Sequence, residues 1–180
     1  MFSLAQMACA LGTFIVVLNL PAALAPGLFR RMVEAFPRSK LPALFLTALD
    51  LGWVSWVILH APLGRFEFLK PAVYAAAPIS FLAIVFFMDE LLAPRALGGL
   101  LLLLANPILN AARWHPSNWR LVMTVAAYLW VISGIVLFLS PYRFRHFAAF
   151  MTKTDMRCRL LGLVRLAVGA CFLFLGLRVY

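Results

Sequence analysis

Residues 121–140 read LVMTVAAYLWVISGIVLFLS, twenty consecutive positions without a charged side chain. A helix needs about 20 apolar residues to cross the roughly 30 Å hydrocarbon layer of a bilayer. A helix that is apolar on every face is found in a membrane or deep inside a large protein, and 180 residues leave little room for such an interior. The run therefore predicts a transmembrane helix.

The pattern recurs on both sides of it. Residues 4–24, 41–59, 72–88, 96–112 and 160–177 are apolar runs of similar length. Together they predict an all-α fold, a polytopic transmembrane bundle of about six helices arranged as three hairpins, in a single domain over residues 1–180. The third run contains Pro78, and the fourth is broken by Asn106, Pro107 and Asn110. That pair can instead form a re-entrant hairpin, whose irregular backbone other helices would shield. The first run resembles a secretory signal, because Ala23-Leu24-Ala25 looks like a cleavage site. No Lys or Arg precedes the run and Pro26 would follow the cut, so it is expected to be a span.

Composition agrees. The chain is 65% hydrophobic and 12% charged, with a mean hydropathy of +0.98, whereas soluble domains carry about 25% charged residues. Sixteen Lys and Arg against six Asp and Glu give a net charge of +10. The basic residues cluster between apolar runs, as the positive-inside rule and anionic lipids require. This argues for anionic lipid, not nucleic acid, as the partner. Cys9, Cys158 and Cys171 are odd in number and lack metal-site spacing. They are expected to be buried free thiols, and no cofactor or metal is implied.

The turns after the first, third and fifth runs hold ten Lys and Arg, among them Arg30, Arg31, Arg95, Arg143 and Arg145. The opposite side holds five: Arg65, Lys70, Arg113, Arg120 and Arg178. The odd-numbered turns are expected in the cytoplasm of a cell with both chain ends outside. Arg30, Arg31, Arg143 and Arg145 are expected to reach phosphate head groups.

These turns begin alike. Leu24-Ala25-Pro26, Leu92-Ala93-Pro94 and Leu139-Ser140-Pro141 each precede an Arg within four residues. A displacement of 115 aligns Pro26 with Pro141, Phe29 with Phe144, Arg30 with Arg145 and Asp50 with Arg165. Such a pattern fits an internal repeat and equally fits convergence, because any membrane hairpin is ended by proline and anchored by arginine. Gly134, Pro141, Arg145, Gly162 and Gly169 resemble the pattern of the short two-helix bacterial inner-membrane proteins of unknown function. Pro21, Pro26, Arg30, Arg31 and Met32 look similar to it. The resemblance covers at most half the chain, in two pieces. It implies a location in a bacterial inner membrane and no reaction.

Two charges lie within apolar runs, Asp50 and Arg165. A charge at mid-bilayer costs about 2.5–3.5 kcal/mol on insertion scales, so each should face protein or water and find a partner. Opposite sign at similar depth predicts an Asp50–Arg165 pair, as a packing lock or as part of an ion or proton path. Asn106 and Asn110 share a helix face, where they can line a small polar cavity or cross-link helices. Gly162, Gly169 and Gly176 recur every seven residues and predict a packing seam, within the chain or against a partner. Asp89 and Glu90 precede Arg95 and suggest a local salt bridge more than an acid–base pair. His60, His115 and His146 lack ligand spacing, and no nucleophile elbow or phosphate loop is present.

The first functional expectation is a non-enzymatic accessory or scaffold subunit, acting with a membrane-protein partner or a second copy. A small transporter or channel built on Asp50 and Arg165 is the alternative. A lipid-acting membrane enzyme using Asp89, Glu90 and histidine is the third.

Overall fold

A computed structural model describes residues 3–88 and 91–180. Among the described residues there are eight α-helices and no strand. They are α1 (Leu4–Leu24), α2 (Pro26–Ala35), α3 (Lys40–His60), α4 (Lys70–Phe87), α5 (Leu92–Arg113), α6 (Arg120–Leu139), α7 (Tyr142–Thr152) and α8 (Asp155–Arg178). Six of them are long and apolar enough to cross a membrane: α1, α3, α4 with the turn before it, α5, α6 and α8. The Pro-containing third and fourth runs are both continuous helices, with Pro78 and Pro107 inside them.

Two basic segments read as turns from the sequence are helical. Pro26 opens α2, since its fixed φ and missing N–H suit the first turn of a helix. In α2, Leu28, Met32 and Val33 share the helix with Arg30 and Arg31, and the segment is amphipathic. Helix α7 stands in the same place after α6. Helix α5 begins at Leu92, four residues before the expected Ala96. Pro94 and Arg95 therefore lie in its first turn, where proline is tolerated, and not in a connecting loop.

Three spans end with one backbone conformation. Ala25 after α1 has φ −137° and ψ 68°, Ser140 after α6 has −132° and 67°, and Met88 after α4 has −121° and 52°. Each cap N–H bonds back to a carbonyl four residues earlier, at 2.8, 2.8 and 2.9 Å. These ends gather at one end of the bundle. The Phe36 and Phe144 rings meet there at 5.3 Å, and Phe36 and Met88 pack on the small core of Ala43, Leu92 and Ala93. At the other end the Tyr180 hydroxyl donates to the Trp119 carbonyl at 2.7 Å.

Helix α1 packs along α8 and α5 along α6; α3 lies on α5 and α4 on α3. Lipid tails are as apolar as leucine, so small residues and close backbone approach drive such pairing. A Cβ on Gly98 would lie 2.7 Å from the Gly134 carbonyl oxygen, and one on Gly134 would lie 2.8 Å from that of Gly98. Along α8, Gly162 faces Ala22, Gly169 faces Gly12 and Gly176 faces Ala5 and Cys9, all within α1. The main core joins Ala8 and Leu11 of α1, Ala105 and Ile108 of α5, Met123 of α6 and Phe172 of α8. No residue of α4 is buried. Of the cysteines only Cys158 is buried; Cys9 is half-buried and Cys171 is exposed on α8.

Candidate functional site

Asp50 lies at the eleventh position of the 21-residue α3. At 1.5 Å per residue it is about 15 Å from the start of the helix, midway along a helix of membrane-spanning length. Gly99 of α5 makes room for it, since a Cβ there would lie 2.7 Å from Asp50 Oδ2. One turn earlier on α5 stands Arg95. Asp50 and Arg95 line one cavity of about 410 Å³, whose other walls include Thr47, Met88, Leu102 and Phe138. Asp50 Oδ1 and Arg95 Nε are both buried and have no hydrogen-bond partner among the described residues. Among the described residues the two form no ion pair within 4.0 Å.

The sequence points to a different companion for Asp50. Arg165 lines a separate cavity between α5, α6, α7 and α8. Its Nη2 donates to Met151 Sδ at 3.3 Å, and its Cζ lies 6.0 Å from the Phe147 ring centroid. The expected Asp50–Arg165 pair is not formed. Helix α3 packs on α5 and α4, whereas α8 packs on α1 and α7, so equal depth does not bring the two side chains together.

Arg95 is the residue that sequence reading placed in a loop. A signal for it exists: Arg95, Gly99, Asn106 and Asn110 follow spacings of four, seven and four, which keep them on one stripe of α5. Asn110 Nδ2 donates to Asn106 Oδ1 at 3.1 Å, and both side chains are exposed. Their hydrogen bond stays within the helix and does not bridge to another. The stripe thus carries polar groups from the α2–α7 end of the bundle to the opposite end, and Asp50 meets it midway.

The remaining candidates are dispersed. Arg30 bonds Glu34 at 3.0 Å, and its Nη1 lies 4.0 Å from Asp155 Oδ1. Arg31, Arg143 and Arg145 are exposed at the same end, in reach of an interface. His60 stacks on Trp56 at 3.9 Å and its Nδ1 lies 2.9 Å from the Trp56 carbonyl oxygen. His115 meets the Tyr180 ring edge-on at 5.1 Å, and His146 meets Tyr142 at 6.2 Å. Asp89 and Glu90 lie outside the described residues. Compared with known protein families, with curated proteins and with solved structures, the chain matches none.

Proposed function

We propose that the chain is a multi-pass integral membrane protein that works without enzymatic chemistry, as a small transporter whose proton-carrying group is Asp50. One observation carries this reading: a carboxylate near mid-bilayer shares a cavity with an arginine, and each has a buried atom without a hydrogen-bond partner among the described residues. Such charges are costly in hydrocarbon and are kept mainly in ion and proton paths. Arg95 stands one turn into α5 and Asp50 about 15 Å along α3, so the cavity leads from the basic end toward the centre. The ten-to-five distribution of Lys and Arg supports a cytoplasmic basic end. The resemblance to two-helix proteins supports a bacterial inner membrane.

The test is proton movement in liposomes that hold the purified protein and a trapped pH-sensitive dye. With an imposed pH gradient and valinomycin-clamped potassium, wild type should equilibrate several-fold faster than protein-free vesicles. Asp50→Asn should fall to the protein-free rate and Asp50→Glu should keep part of the activity. Wild type no faster than empty vesicles, or Asp50→Asn as fast as wild type, overturns the proposal.

A second reading, an accessory or scaffold subunit, is favoured by α4. It packs chiefly on α3 and buries none of its residues, which leaves it open to a partner helix. A stoichiometric membrane protein in a mild-detergent pull-down, together with inactive liposomes, would select this reading.

A further inference from the structure

Arg165 lies ten residues into α8, about 15 Å from its start. Its neighbours are a thioether sulfur and an aromatic face, which are weak partners for a full charge. The acids described at this end are engaged elsewhere: Glu34 with Arg30 at 3.0 Å and Asp155 with the same arginine at 4.0 Å. Among the described residues, no acid lines the Arg165 cavity. Its second cation is Arg143, at the start of α7. The cavity measures about 550 Å³ and continues along apolar side chains of α5 and α6, Leu97, Leu101 and Val136 among them, with Ser133 as a further polar group.

Two guanidinium groups on the wall of a largely apolar cleft complement an amphiphile with an anionic head and a hydrocarbon chain. Planar, forked donors suit a phosphodiester. We propose that this cavity is a discrete site for one anionic phospholipid, its phosphate between Arg143 and Arg165 and an acyl chain against α5 and α6. The site is separate from the Asp50 cavity and stands whether or not the protein moves protons. It would also give Arg165 a counter-charge, which no ion pair among the described residues supplies.

Native mass spectrometry of the full chain tests this, with micelles containing equimolar phosphatidylglycerol and phosphatidylcholine. Wild type should retain one phosphatidylglycerol under activation that strips phosphatidylcholine. Arg165→Gln should lower the retained fraction at least about tenfold, and Arg143→Gln by a smaller factor. Lys153→Gln, exposed at the same end, should leave it unchanged. Equal retention of both lipids, or equal loss in Lys153→Gln, overturns the site. If Arg165→Gln does not fold, melting of wild type decides: phosphatidylglycerol should raise Tm while phosphatidylcholine and inorganic phosphate do not. The absence of a selective rise overturns the proposal.

Discussion

The unit α1–α2–α3 and the unit α6–α7–α8 share a layout and differ in what they hold. Each is a long apolar helix, a short helix and a second long helix. Pro26 and Pro141, Lys40 and Asp155, and Asp50 and Arg165 are each 115 positions apart, and the caps Ala25 and Ser140 agree within about 5° in φ and ψ. The two charges thus occupy equivalent places in two similar units, each ten residues into a helix of membrane-spanning length. Equivalence explains their matching positions along the two helices, but not their surroundings, which differ. Asp50 is set against Gly99 and shares a cavity with Arg95, while Arg165 turns back toward α7. Matching depth in a membrane protein is therefore a poor guide to pairing when the chain carries internal likeness.

The largest effect expected from breaking the comparison lies in the glycine seams. Gly169→Leu and Gly98→Leu drive side chains into backbone 2.7–3.1 Å from where their Cβ atoms would sit. Each should destabilise by about 3 kcal/mol, read as a loss of Tm in detergent. Gly52→Ala, where nothing lies within 4 Å, should instead be neutral or stabilising by up to about 1 kcal/mol. Equal losses at all three positions would remove the distinction between seam and lipid-facing glycine.

A smaller effect separates the two cavities. In a double-mutant cycle on stability, Asp50→Asn and Arg95→Gln should couple by about 1 kcal/mol, whereas Asp50→Asn and Arg165→Gln should add within about 0.5 kcal/mol. Coupling to Arg165 as large as that to Arg95 would restore the pair expected from the sequence.

The smallest effect concerns the Arg30–Glu34 contact within α2. The Arg30 hydrogen bond holds the Glu34 carboxyl below its ordinary value of 4.5, with a lesser contribution from Thr152 of α7. A depressed carboxyl contributes stability that is present above its ordinary pKa and is lost as pH falls through the lower folded value. Tm should therefore decline slightly more steeply below about pH 4.5 in wild type than in Glu34→Gln. Identical pH profiles would show that this exposed contact contributes nothing measurable.

The six spans were legible because hydrocarbon thickness fixes their length, and residues 121–140 needed no context to be read. The neighbour of each helix was not legible, since an apolar face looks the same whether lipid or protein covers it. Only small residues break that degeneracy, as Gly162, Gly169 and Gly176 do along α1. Helices α2 and α7 were missed because a stretch of ten or eleven residues with several Arg between two long apolar runs reads equally well as a loop. Arg95 was missed for a related reason: Pro94 marks a helix end in most contexts, yet here it sits in a first turn.

The seam between α1 and α8 has a consequence for biogenesis. Its facing residues Gly12 and Gly169 are roughly 150 residues apart in the chain, about 8–30 s of synthesis at 5–20 residues per second. Throughout that interval the small-residue face of α1 lacks the partner that α8 provides. Docking of α8 is then the step that closes this seam, and a chain stalled before it would present an unzipped surface for quality-control proteases to recognise.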